Sequence, residues 1–187
     1  MSDTMSWDEV EVDPEEVTDQ DAKAIEEGVG EYPPIGLYLC RVIESTPKRI
    51  DFNAYSCLGT TLKFEVERAL EIEAKPVEGD EGEVYEGKHI YDDVAFAHEK
   101  EKDGMKKRRK YVALRLGIIN PGQVLRKDLW RDDVIGKRVI LRLVENKYKD
   151  KKTGEEKIGR PQVGFFDGYH YADKSNQVAE VEKWDDI

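Results

Sequence analysis

The spacing of apolar residues changes twice along this chain, and the order of those changes limits the folds that it can adopt. Leu62, Phe64 and Val66 alternate with polar residues, which predicts a strand that is buried on one face. Apolar residues then recur every three or four positions from 111 to 119, and they alternate again from residue 138. This order predicts one helix that separates two sets of strands.

Five strand patterns surround a single helix pattern. The predicted elements are strands over Gly36–Glu44, Thr60–Arg68, Lys88–Ala97, Arg138–Val144 and Lys157–Asp167, a helix over Tyr111–Ile119, and a helical turn over Asp128–Val134. An OB-fold has the same order, with five strands in a small Greek-key barrel and a helix between strands 3 and 4. We therefore predict a mainly β, five-stranded OB-fold-like barrel with one helix between strands 3 and 4. A generic small α+β sheet is the alternative.

Charge is divided unevenly along the chain. Charged residues make up 38% of the 187 residues, and the formal net charge is −11. Residues 1–34 carry twelve acidic residues and one basic residue, whereas residues 101–160 carry nineteen basic and nine acidic residues. A segment as acidic as 1–34, with few apolar residues, cannot bury enough surface to fold alone. We predict a disordered acidic arm at 1–34, one folded domain at 35–172, and an acidic tail at 173–187.

Several locations are disfavoured by the sequence. No run of about 18 apolar residues exists, which argues against a transmembrane helix. The first thirty residues are acidic, the opposite of a targeting signal. Cys40 and Cys57 are too few for a disulfide framework and suggest a reducing compartment. We expect a cytoplasmic protein that does not contact membranes.

Residues that could support catalysis are sparse. The three histidines and two cysteines show no metal-ligand spacing, and the sequence contains no phosphate-binding glycine loop or nucleophile elbow. Asp92 and Asp93 are neighbours in a predicted strand, so their carboxylates would point to opposite faces. We therefore expect no enzymatic activity, no metal and no cofactor.

Basic residues concentrate in the second half of the predicted domain. Five consecutive cations precede the predicted helix, and others continue through the last hairpin. This clustering suits a nucleic-acid backbone, because each neutralised phosphate releases a condensed counterion; a solvated surface loop is the alternative. The predicted phosphate contacts are Lys106, Lys107, Arg108, Arg109, Lys110, Arg142, Lys147, Lys149, Lys151 and Lys152.

Aromatic residues lie among these cations. Unpaired bases stack on aromatic rings while lysine and arginine hold the backbone. Tyr148 lies between two lysines and is predicted to be exposed, whereas Tyr111 and one of Phe165 and Phe166 are predicted to lie in the core. In OB-folds the loops between strands 1 and 2 and between strands 4 and 5 flank the binding face. The predicted loop and stacking residues are Lys48, Arg49, Phe52, Tyr55, Tyr148 and Tyr169.

The C-terminal segment combines acidic and apolar residues. Trp184 and Ile187 stand beside Asp185 and Asp186. An apolar side chain next to two aspartates can fill a pocket rimmed by basic residues on a partner, or fold back on the protein's own basic groove. We predict partner binding at Trp184, Asp185, Asp186 and Ile187; a solvated acidic tail is the alternative.

In combination, these features resemble single-stranded DNA-binding proteins of the phage type. The matching segments are Gly36-Leu37-Tyr38, Gly136-Lys137-Arg138-Val139, the basic hairpin 148–157 and the acidic tail ending at Ile187, although the proline–phenylalanine tip of bacterial members is absent. The resemblance implies sequence-independent binding of single-stranded DNA in phage DNA replication, recombination or repair, in the cytoplasm of the host cell. It also implies recruitment of replication or recombination proteins through the tail, and it allows a homodimer.

Two other functions fit the same sequence. The acidic N-terminal arm could mimic DNA and capture a basic partner, as in a protein-interaction module or an inhibitor of a nucleic-acid enzyme. A β-rich body with two arms could instead belong to a virion or assembly component. The first function predicts no binding to nucleic acid, and the second predicts stable homo-oligomers that do not need the basic hairpin.

Overall fold

The structure, a computed structural model, describes residues 32–172 as one antiparallel sheet of seven strands with one α-helix. The strands are β1 (Gly36–Asp51), β2 (Ser56–Ile72), β3 (Lys75–Pro76), β4 (His89–Ala95), β5 (Arg138–Lys149), β6 (Glu156–Val163) and β7 (Tyr169–Tyr171). Helix α1 is Asp103–Arg115, and short 3-10 and π-helical turns are Glu83–Tyr85 and Leu129–Asp133. Residues 1–31 of the predicted disordered arm, and the predicted tail site at residues 184–187, lie outside the described residues.

The mainly β architecture and the order of its long elements are confirmed. Three long strands precede the helix and two follow it, as the periodicity predicts. Two short strands, β3 and β7, were not predicted. Strands β1 and β2 also extend well beyond the apolar pattern, because residues 45–51 pair with residues 56–62 and continue the ladder as a projecting hairpin.

The sheet is open. Strand β1 pairs with β2 and β5, while β4 pairs with β2 and both β6 and β7 pair with β5. Within residues 32–172 no strand pair joins β4 to β6, so the predicted closed barrel is wrong. The gap is bridged by a side chain: Arg108 donates from Nη1 to the Asp93 carbonyl (3.2 Å) and from Nε to the Phe165 carbonyl (3.1 Å). One guanidinium therefore takes the place of hydrogen bonds between the strand edges.

The core lies between the inner face of the sheet, helix α1 and the π-helical turn. Leu62, Phe64 and Val66 are all buried, which confirms the alternation predicted for β2. Trp130, from the π-helical turn, is the largest fully buried side chain. Burial of these apolar groups provides the main driving force for this fold.

Helix α1 begins eight residues earlier than the periodicity predicts and includes the five consecutive cations. Gly117, with a φ of 68°, ends it: its N–H bonds the Leu114 carbonyl, and the Ile118 N–H bonds the Ala113 carbonyl. This is a Schellman motif. Within the described residues, no helix has the length and apolar content needed to cross a membrane.

Candidate nucleic-acid interface

A groove of about 550 Å³ lies over the outer face of β2 and β4. Leu62 and Ile90 are fully buried, so the residues that alternate with them point away from the core. These outward residues include Thr61 and Tyr91, which line the groove. The walls are the tip of the β1–β2 hairpin on one side and β6 on the other. A second hollow of about 430 Å³ shares Lys48, Thr61 and Tyr91 and extends the surface across β1.

Aromatic rings are spaced along this groove. Tyr91 is 40% exposed in the middle of β4, Phe165 is similarly exposed after β6, and Phe52 lies at the hairpin tip. Phe52 packs on Tyr55 with ring centroids 4.8 Å apart, and Tyr55 stacks on His98 at 4.5 Å with an interplanar angle of 11°. The side chains of Phe52, Tyr55 and His98 therefore form a short stack of rings beside the groove.

Cations stand beside these rings. Lys48 Nζ lies 2.6 Å from Asp93 Oδ2, and this carboxylate also accepts a hydrogen bond from the Thr61 hydroxyl at 2.6 Å. The guanidinium of Arg160 lies 4.7 Å from the ring centroid of Tyr32. The Lys48 pair is exposed on both sides, and exposed pairs of this kind contribute little stability. A phosphate can therefore compete with Asp93 for Lys48 at small cost.

Two predicted contact residues belong instead to a buried network. Tyr169 is 1% exposed, and its hydroxyl donates to Asp92 Oδ2, which also accepts from Arg108 Nη2 at 2.6 Å. Burial raises the pKa of Tyr169 well above its ordinary value, and the Asp92 charge adds to this effect. Tyr169 is too buried to stack on a base. Arg108 lines the groove, but its guanidinium is bonded to Asp92, Asp93 and Phe165 and is not available to a phosphate. Both predictions are therefore wrong. Asp92 and Asp93 do point to opposite faces, as predicted.

The prediction that Arg109 contacts phosphate is also wrong. Its guanidinium is buried and donates twice to Glu101, at 2.7 and 2.9 Å, and once to the Ala95 carbonyl at 3.1 Å. Hydrogen bonds from Arg109 hold the pKa of Glu101 below its ordinary value. Arg109 is therefore not a phosphate contact; it fastens the start of helix α1 to the end of β4.

For the remaining lysines of helix α1, contact with phosphate stays a prediction. Lys106, Lys107 and Lys110 are exposed and form no ion pair within residues 32–172. Met105 and Arg108 of the same helix line the groove, whereas these three lysines do not. The lysines form a basic ridge on helix α1, and the helical repeat places this ridge on a different side of the helix from Met105 and Arg108.

The β5–β6 hairpin extends one wall of the groove into solvent. Tyr148 is half exposed, as predicted, and its ring lies over Gly159, where an added Cβ would come within 3.3 Å of it. Lys147 pairs with Glu145 at 3.2 Å. The other predicted lysines of this hairpin are exposed and without an ion pair in the described part of the chain; they are Lys149, Lys151 and Lys152.

Two predicted cations lie away from the groove. Arg49 is exposed near the hairpin tip and bonds Asp51 at 3.2 Å, and Arg142 on β5 lies 3.9 Å from Asp167. Neither lines the groove. The prediction that one of Phe165 and Phe166 is a core residue is also wrong, because both rings are more than 40% exposed.

Sequence reasoning missed the residue at the centre of the groove. Tyr91 follows the buried Ile90 in β4. The alternation of apolar and polar residues in that strand could therefore have predicted that Tyr91 is exposed. Arg160 and Phe165 were not assigned to the site because nothing in the sequence indicates that β6 faces β4 across a gap.

No three His, Cys, Asp or Glu side chains within residues 32–172 lie close enough to share a metal ion. Comparison of the chain with protein-family models and with curated proteins found no match. Fold and site together define a mainly β protein with an aromatic and cationic groove along one face of its sheet.

Proposed function

We propose that this protein binds single-stranded DNA without regard to base sequence, in the groove over β2 and β4. The observation that carries the proposal is the exposed Tyr91 in mid-groove, with Phe52 and Phe165 at the ends and Lys48 and Arg160 beside them. Bases can stack on such rings while the cations hold phosphates. A duplex offers no free base faces along its length, so the groove favours single strands.

The strand order supports an OB-fold with an open seam. If the two short strands are set aside, β4 pairs with β2, β2 with β1, β1 with β5, and β5 with β6. This is the strand order we expect for an OB-fold, with only the closing contact missing. OB-folds bind oligonucleotides on the face of strands 2 and 3, between the loops that join strands 1–2 and 4–5. Here β2, β4 and the tips of the two hairpins occupy those positions.

Charge supports the same proposal. Residues 32–172 carry 27 basic and 24 acidic residues, so the body is slightly cationic although the whole chain is strongly anionic. Its lysines without an ion pair include those of the α1 ridge and of the β5–β6 hairpin, and both elements also supply residues that line the groove. Phosphates bound there would release condensed counterions, which favours binding most at low salt.

The proposed role is in phage DNA replication, recombination or repair, where single strands must be protected. Partner proteins would be recruited through the acidic tail. The groove holds and orders the strand, and no catalytic step is part of the proposal.

The proposal is tested by fluorescence anisotropy with labelled single-stranded and duplex oligonucleotides of equal length, titrated at several salt concentrations. We expect tighter binding of the single strand and an affinity that falls steeply as salt rises. Absence of binding to either oligonucleotide at low salt would refute the proposal and favour the acidic arm as the functional element.

The variant Tyr91→Ala tests whether the groove is the binding site for the single strand. Stacking contributes roughly 1–3 kcal/mol per base, so we expect the single-strand affinity of this variant to fall about five- to 150-fold. Tyr171→Ala is the matched control, since Tyr171 is also 40% exposed but does not line the groove. Equal losses in the two variants would contradict a groove centred on Tyr91.

A further inference from the structure

The outer edge of β6 carries a feature that binding of DNA in the groove does not explain. Ile158 is 68% exposed on this strand, and within the described residues the β6 segment 156–160 pairs only with β5. An exposed apolar residue on a free strand edge is a template for pairing with another chain. The free backbone groups of this edge can therefore form hydrogen bonds with an extended segment of another chain.

The direction of the free backbone groups follows from the hairpin turn. The Asp150 N–H donates to the Glu155 carbonyl at 2.8 Å, so the Glu155 carbonyl faces β5. Antiparallel ladders alternate in this respect, and the pairing continues without a shift through residue 159. The N–H and C=O groups of Glu156 and Ile158 therefore face away from β5. The Arg160 N–H does so too, because a trans peptide directs it opposite to the Gly159 carbonyl.

We infer that two copies of this chain pair antiparallel through their β6 edges, centred on Ile158. In this register the N–H and C=O groups of Ile158 bond those of the same residue in the second copy. The Arg160 N–H of each copy reaches the Glu156 carbonyl of the other. The arrangement is isologous, with one two-fold axis, and it uses the β6 edge of both copies.

Side-chain charges fit this register. Residues opposite each other in an antiparallel pair share a face, so Glu156 lies opposite Arg160 of the second copy and the two exposed Ile158 side chains meet. Lys149 lies opposite Glu156 within its own hairpin. The two outer rows therefore alternate in sign from Lys149 to Glu156 to Arg160 of the second copy, and the central row brings the two apolar side chains together.

Other registers are disfavoured. A two-fold axis at Lys157 still pairs the outward backbone groups of Glu156 and Ile158, but it sets the two Lys157 side chains directly opposite each other. An axis at Gly159 moves Glu156 away from Arg160 of the second copy, so the opposite charges no longer meet. A centre at Glu156 or at Arg160 places two like charges directly opposite each other, which is destabilising. Among these registers, only the one centred on Ile158 places Glu156 opposite Arg160 and brings the two Ile158 side chains together.

Charge reversal tests the pairing in solution. We expect the full chain to show a monomer–dimer equilibrium in sedimentation velocity without DNA, and Glu156→Arg or Arg160→Glu to weaken dimerisation at least about tenfold. The double variant Glu156→Arg/Arg160→Glu should restore it, and the control Lys151→Glu, in the turn, should leave it unchanged. A monomer at every concentration, or a dimer indifferent to the single reversals, would overturn the inference.

Cross-linking tests the register itself. Hydrogen-bonded antiparallel partners have Cα atoms about 5.5 Å apart, within reach of a disulfide. The native cysteines are buried, so Ile158→Cys should give a cross-linked dimer under mild oxidation. Val124→Cys, at a position more exposed still, is the control and should stay monomeric on a denaturing gel. Equal cross-linking of the two variants would overturn the register. Both readouts are taken without DNA, so they succeed or fail independently of the proposed function.

Discussion

At the scale of single residues, a buried ion pair connects helix α1 to β4. The Arg108 guanidinium and the Asp92 carboxylate are both largely buried, so Asp92→Ala would leave a buried cation without its counter-charge. We expect this variant to lose about 3–5 kcal/mol of unfolding free energy. Asp128→Ala, which breaks the exposed pair with Arg126, should lose about 1 kcal/mol or less. Urea unfolding measures both, and equal losses would contradict the buried network.

A second prediction at this scale concerns pH. The pKa of Glu101 is lowered by hydrogen bonds from Arg109, so the folded state binds this proton more weakly than the unfolded chain. The stabilisation is complete above the unfolded pKa of about 4.3 and is lost as pH falls through the lower folded pKa. We expect Glu101→Gln to cost about 1–3 kcal/mol at pH 7 and the gap to the parent protein to close in acid. Urea unfolding across pH checks this, and a gap independent of pH would contradict it.

At the scale of elements, helix α1 carries three exposed lysines that do not themselves line the groove. Lys106, Lys107 and Lys110 are exposed, and each phosphate neutralised on a single strand adds about 0.7 to the slope of log affinity against log salt. We expect the triple glutamine variant to reduce that slope by up to about 2 and to keep the parent's unfolding midpoint. The control is the double glutamine variant of Lys127 and Lys137, which lie outside helix α1 and both hairpins, and it should leave the slope unchanged. An unchanged slope in the triple variant would remove the ridge from the interface.

The same helix explains why its start was not predicted from the sequence. Arg108 and Arg109 occupy inward positions that periodicity reserves for apolar residues, so the first half of α1 reads as a polar loop. Each arginine is held inside by a carboxylate from outside the helix, Asp92 or Glu101. Such a pairing depends on tertiary contacts, which a pattern of local spacing cannot contain.

The strands show which parts of the fold local spacing does predict and which it does not. Alternation predicted the buried face of β2 correctly, because that face packs on the core and its residues are apolar. The open seam could not be predicted, because it depends on how Arg108 meets the edges of β4 and of the segment after β6. Tyr169 was predicted to stack because it follows the basic hairpin, yet its position on β7 turns it towards Asp92.

At the scale of the whole molecule, the described body and the complete chain differ in charge. Residues 1–31 carry twelve acidic residues and one basic residue, so their removal takes the net charge from −11 to zero. A strongly negative net charge repels a nucleic acid over distances set by the Debye length, about 10 Å at 0.1 M salt and 3 Å at 1 M. The arm should therefore slow the approach of DNA through its long-range field alone.

We expect deletion of residues 1–31 to raise the association rate with single-stranded DNA by at least about tenfold at low salt, measured by stopped-flow fluorescence. The gain should fade towards 1 M salt, because screening removes the repulsion but leaves base stacking in place. A full-length variant with the arm's acidic residues changed to Asn and Gln separates charge from length and should behave like the deletion. A rate that falls on deletion would instead identify the arm as part of the binding surface.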